Sequence, residues 1–379
     1  MTRNLTPSEL RNLIGSVFQP GPLDRDLTIL VDLPDSRVPD TATWLDRRVI
    51  ATEWHRMLTA EPLLPAFRRV NLCVFQNVGS NNNDLPAAVT LADRYDPRTG
   101  ALSGSTHPLQ EMLERSTVVL AMTEFSATAP LKILARTLRF RGATLPGFSR
   151  PMIPALYLDY EKVNARVMEF KARLDEAEGL DVLLSVKGVN YSSHYDLRHR
   201  TAHASGGLMR EPGTVGNLPS GEAYIVPYEG EKEGDPSRTA GTLPVQFGEE
   251  IVLYRIEGNK AVEVLSMGPE SDREAADLAA EPAYGNIAEV GIGVLGEWGV
   301  QAVGSILLDE KLGLHIAFGR SDHFGGMVAP TAWKDRSKVI HIDRVYVPSC
   351  QPAISVTSVA FVYPGGRREV ILESGKYQV

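Results

Sequence analysis

A chain of 379 residues is longer than one ordinary core of ~100 to 200 residues organises, so its length predicts two domains. Its 39 Lys and Arg against 47 Asp and Glu, a formal charge of -8, leave no broad basic surface for nucleic acid or an anionic membrane. A small molecule or short peptide is the better partner. Only Cys73 and Cys350 are present, so no secreted-protein disulfide framework is expected and both thiols read as reduced.

Met1 to Leu13 mixes Arg3, Glu9 and Arg11 with apolar residues, unlike the uninterrupted apolar stretch of a signal peptide. No run approaches the ~20 apolar residues of a membrane span, and the expected location is cytoplasmic. Leu27 to Val31 (LTILV) predicts a first strand and Thr43 to Leu58 an amphipathic helix. Further strands are predicted at Val70 to Phe75, Ser116 to Met122 and Ala143 to Leu145, with helices over Pro130 to Arg141 and Leu156 to Ala177. Alternating strands and helices predict βαβ units, hence an N-terminal α/β domain, residues 1–179, built on a mostly parallel sheet. The polar loop Gly79 to Asp84 (GSNNND) follows the second strand, where it reads as a surface loop or a weak substrate contact.

After Gly179 the pattern changes to strands separated by Gly, Pro and Asp, among them Val182 to Val186, Ile251 to Ile256, Ala261 to Leu265 and Val356 to Val362. Residues 180–379 therefore read as a β-rich (α+β) domain. Within it, His341-Ile342-Asp343 lies in the strand-like run VIHIDRVYV, and strand alternation sends residues two apart to one face. An imidazole and a carboxylate aimed together suit zinc, cobalt, manganese or iron. His315 lies in the apolar run LHIAF, where a histidine requires a partner. Glu222 and Glu289 each stand where a turn enters a strand. Taken singly, these groups are most simply a bonded core histidine and solvated charges; together they match the inventory of a two-metal site.

Other signals are weaker. Gly291-Ile292-Gly293-Val294-Leu295-Gly296 fits GxGxxG, but it lacks the βαβ setting and follows a glutamate that would repel a pyrophosphate, so it is not read as a dinucleotide site. His199 and His203, with His194 nearby, have a spacing that fits one helical face, but their arginine-rich setting suggests an exposed turn. No Gly-x-Ser-x-Gly elbow supports serine hydrolase chemistry.

Several C-terminal blocks occur in a telling order: NLPSGEAYIVP from Asn217, AEVGIG from Ala288, LDEKLGLHIAFG from Leu308, Gly325-Gly326 and His341-Ile342-Asp343. With Thr123 to Ser126 (TEFS) and Pro146 to Ser149 (PGFS), they resemble the thermophilic metallo-aminopeptidases of the aminopeptidase T type. That family is distantly related to the dihydroxypyridine ring-cleaving dioxygenases. The resemblance spans roughly residues 117–350.

The resemblance implies a hydrolase that cleaves a peptide or amide bond near a free amino terminus. It implies two divalent metals, zinc, cobalt or manganese, on Glu222, Glu289, His315, His341 and Asp343, with self-association into a homodimer. The alternative is a mononuclear non-haem iron dioxygenase acting on an aromatic or heteroaromatic ring, with His315, His341 and one carboxylate as ligands; another is a peptide-binding member with altered catalysis. The dioxygenase branch is expected to lack the second glutamate and the HIAxG histidine, and both are present here. One departure concerns a catalytic tyrosine expected about seven residues beyond that histidine. Asp322 stands there, followed by His323. Ionised Asp322 cannot donate to an oxyanion, whereas His323 can, which makes Glu289 and His323 the candidate catalytic residues; a plain polar turn is the other reading.

Overall fold

A computed structural model of the protein describes residues 3–60 and 67–379; Met1 and Thr2 of the N-terminal stretch lie outside the described residues. The chain divides into two compact units, Met1–Asn164 with Ser205–Ser220, and Ala165–Ala204 with Gly221–Val379. No helix among the described residues is long and apolar enough to cross a membrane.

The first unit is α/β. Its seven-stranded sheet places Asp26–Leu33 between Arg69–Gln76 and Ser116–Met122, all parallel, and continues through Arg141–Thr144 to Val215–Asn217, also parallel. Leu27, Ile29, Leu30 and Val31 are fully buried, as expected of a strand covered on both faces. Helices Ala42–Ala60 and Thr128–Leu138 follow their strands, so Arg141 belongs to a strand and not to the preceding helix. The later helix begins at Tyr160, after a 3-10 segment over Arg150–Tyr157. An antiparallel hairpin, Ala88–Asp96 with Ala101–Pro108, completes the far edge. Its second strand is largely exposed, so it lacks the apolar alternation that reveals strands in a sequence. The Gly79 to Asp84 loop is tied down, with Asn81 Oδ1 accepting from Ser126 N at 2.8 Å and Asn82 N donating to Ser126 O at 2.7 Å.

The second unit is β-rich. An eight-stranded antiparallel sheet contains Gly179–Val186, Glu250–Glu257, Lys260–Val264 and Ile354–Val362. A five-stranded sheet has the order His341–Val345, Leu314–Gly319, Ile287–Gly293, Glu222–Ile225 and His203–Ser205. Cys73 and Cys350 are free thiols.

Candidate metal centre

The register of the five-stranded sheet assembles the site. Glu289 stands opposite Ala317, which stands opposite Asp343; one row on, Tyr224, Gly291, His315 and Val345 align. Glu222 pairs with Gly293, and Gly319 with His341. Directly opposed residues of an antiparallel sheet share a face, and the face repeats every second residue. Glu222, Glu289, His315, His341 and Asp343 therefore rise from one face, over a floor of Gly291, Gly293, Ala317 and Gly319. Small residues there are a steric requirement. A Cβ on Gly291 would stand 1.9 Å from His315 Nε2, and one on Gly293 would stand 2.2 Å from the Lys311 carbonyl carbon. The GxG pattern is thus a floor for a histidine and a turn, consistent with rejecting a dinucleotide loop.

Glu289 is the centre of the arrangement. Its Oε1 lies 3.3 Å from His315 Nε2 and its Oε2 lies 3.4 Å from His341 Nε2. Glu222 Oε2 is 3.5 Å from His315 Nε2, and Asp343 Oδ1 is 3.7 Å from His341 Nε2. The ligand atoms form two groups, Glu222 with Glu289 and His315, and Glu289 with His341 and Asp343, each with all atoms within 4.8 Å of one another. Glu222, Glu289 and His315 are buried, and His341 and Asp343 are half-buried.

Both imidazoles face carbonyls with Nδ1: His315 to Gly313 O at 3.3 Å, and His341 to Arg320 O at 2.8 Å. A carbonyl can only accept, so each Nδ1 carries the proton and each Nε2 is left facing carboxylates. An Nε2 lone pair aimed at carboxylate oxygens is repulsive unless that nitrogen is also protonated or a cation lies between. Burial opposes charge on His315, but Glu289, Glu222 and Asp343 outweigh it and lift its pKa to about 9. Burial likewise works against the Glu289 carboxylate, yet His315 and His341 hold it well below the usual carboxylate range. Glu222 Oε2 is buried with no hydrogen bond. Orphaned carboxylate oxygen, oriented imidazoles and a donor set of oxygen and nitrogen all fit a divalent metal.

Three neighbours were not singled out from the sequence. Tyr224, two residues beyond Glu222, shares its face and is legible by the same alternation rule that pairs His341 with Asp343. Its ring stacks on His203 with centroids 5.2 Å apart and meets Phe324 edge-on at 5.0 Å. Lys311, 1% exposed, forms ion pairs with Glu222 Oε1 and Glu310 Oε1. Burial pushes the Glu310 carboxyl upward, with Lys311 opposing and Glu222 and Asp343 reinforcing. No local pattern marks Lys311 as buried, because lysine ordinarily keeps its head in water.

Asp322 is bound by Arg320, with Nε and Nη2 both donating to its carboxylate. The His323 ring centroid lies 5.2 Å from that of His341. Burial, then the charges of His341 and Arg320, pull the His323 pKa down to about 4, so its imidazole is neutral at pH 7. The histidines of the arginine-rich stretch do not converge. His194 pairs with Asp181 at 2.7 Å, His199 with Asp235 at 3.0 Å, and His203 Nε2 meets Phe324 O at 2.9 Å.

Two solved structures have this architecture along their whole length. The 2,5-dihydroxypyridine dioxygenase from Pseudomonas putida KT2440 is 14% identical with a TM-score of 0.60, covering 98% of each chain. Wild-type AmpT from Thermus thermophilus is 14% identical with a TM-score of 0.58, covering 98% of this chain and 99% of its own. The likeness is one of fold. No family model and no curated protein matches the sequence.

Proposed function

We propose that this chain is a metal-dependent hydrolase that cleaves a peptide or amide bond near a free amino terminus. One observation carries the reading: Glu289 divides its two oxygens between His315 and His341, so two ligand groups share one carboxylate, as a two-metal site requires. Glu222, Glu289 and His315 would hold one divalent ion, and Glu289, His341 and Asp343 the other. When bound, such ions polarise a carbonyl and lower the pKa of a bound water.

The chain's own residues supply the rest. The carbonyls of Gly313 and Arg320 fix the ring orientations of His315 and His341. Burial, with Glu289, Glu222 and Glu310 adding to it, lifts the Tyr224 phenol well above its ordinary pKa. Tyr224 therefore keeps its proton and is a donor for a developing oxyanion, the role that Asp322, committed to Arg320, cannot fill. Neutral His323 is the second candidate for giving or accepting a proton beside His341.

The reading is tested by elemental analysis of protein purified without chelator, before and after loading with zinc, cobalt or manganese, followed by a peptide panel. About two equivalents and release of an amino-terminal residue support it. One competing reading is a mononuclear iron dioxygenase using His315, His341 and one carboxylate; Asp322 in place of the expected tyrosine favours the other, a peptide-binding member with altered catalysis. One iron per chain with oxygen uptake on a dihydroxylated aromatic ring would select the dioxygenase instead. Peptide binding without product would select a binding protein.

A further inference from the structure

Besides their burial, the two ligand groups differ in the charges around them. Lys311 lies against the Glu222 group, whereas Asp343, among the described residues, has His341 as its ion-pair partner and no lysine or arginine. The position of Lys311 is built into the sheet. Glu222 is paired with Gly293, and the absence of a side chain on Gly293 lets the Glu310 to Leu312 turn sit on the strand, with Glu310 O 2.5 Å from where a Cβ would be. The ammonium enters between Glu222 Oε1 and Glu310 Oε1, while Glu222 Oε2 stays free of hydrogen bonds beside His315. Half of the Glu222 carboxylate is thus bound to a resident cation, and only the other half is available to a metal.

We propose that Lys311 is a positioning residue that makes the two ligand groups unequal: the Glu289–His341–Asp343 group takes up metal first, and the Glu222–Glu289–His315 group follows with at least tenfold weaker affinity. This rests on the two-metal reading above. The ammonium neutralises much of the Glu222 charge that would attract a second dication, and it repels that dication across a single buried carboxylate, where burial weakens solvent screening. The same contact fixes the Glu222 rotamer, so the second position is shaped in advance but electrostatically weak. Loading becomes ordered, and at limiting metal the protein holds one ion.

The experiment is calorimetric titration of the metal-free full chain with zinc(II) and with manganese(II), checked by elemental analysis, for the wild type, Lys311→Met and Lys311→Arg. The wild type is expected to show one tight equivalent and a second at least tenfold weaker. Lys311→Met is expected to tighten the second equivalent at least tenfold and leave the first within threefold, while Lys311→Arg, which keeps the charge, retains the inequality. Two equivalents with the same constants in the wild type and Lys311→Met would overturn the role of Lys311 while leaving the two-metal reading intact. No uptake by any of the three would remove that reading and the proposal with it. If Lys311→Met does not fold, the pair His315→Ala and His341→Ala decides. The first variant should keep the tight equivalent and the second should lose it, and equal losses would overturn the proposal.

Discussion

His315 lies directly over Gly291: the two residues are opposed across adjacent antiparallel strands, and a Cβ on Gly291 would fall 1.9 Å from His315 Nε2. A buried imidazole can reach Glu289 and Glu222 together because the strand beneath it carries no side chain at that point.

Gly291→Ala should therefore push the His315 ring off its carboxylates. Overpacking of this kind costs about 1 to 3 kcal/mol, and urea denaturation is expected to register it together with a loss of metal from the Glu222 group. A variant with unchanged stability and metal content would show that the ring has room to move.

Glu289 is shared by both groups, so Glu289→Ala should abolish uptake of both ions, whereas Asp343→Asn should weaken one group and spare the other. Elemental analysis after dialysis distinguishes the two. Comparable metal in wild type and Glu289→Ala would contradict the bridging role.

Tyr224 and His323 compete for the role of donor. Tyr224→Phe keeps the ring packed against His203 and Phe324 and removes only the hydroxyl. Loss of one oxyanion donor typically lowers kcat by ~10²- to 10³-fold, and that is the expected effect of Tyr224→Phe on peptide hydrolysis, with metal content unchanged. A large fall in kcat for His323→Ala with none for Tyr224→Phe would transfer the role to His323.

In the α/β unit, Asp32 is 1% exposed and accepts from Trp44 Nε1 at 2.8 Å and from Glu124 N at 3.0 Å. Burial nevertheless raises its pKa from 3.8 to about 6, against those hydrogen bonds and the Arg47 charge. A carboxyl with a folded pKa above its unfolded value favours the folded state while protonated, so its contribution is greatest below pH 3.8 and is lost as pH rises through 6. The stability of the wild type relative to Asp32→Asn should consequently fall by about 2 to 3 kcal/mol between pH 4 and pH 7. Denaturant unfolding at several pH values checks this, and a constant difference would mean that the Asp32 pKa is ordinary.

Several features are decided by residue type and local spacing alone. The buried run Leu27 to Val31 is a central parallel strand, and strand alternation by itself puts His341 and Asp343 on one face, as it does Glu222 and Tyr224. Such periodicities act over a few residues and survive in any fold that keeps the strand. The largely exposed strand Ala101–Pro108 escapes that logic because neither burial nor apolar alternation shapes it. Register is the main thing decided only in three dimensions. Glu289, Ala317 and Asp343 share a row, and a slip of one residue would turn one strand's ligands to the opposite face. The fate of Lys311 is decided there too: a lysine is ordinarily solvated, and only the convergence of Glu222 and Glu310 around it makes burial of its charge tolerable.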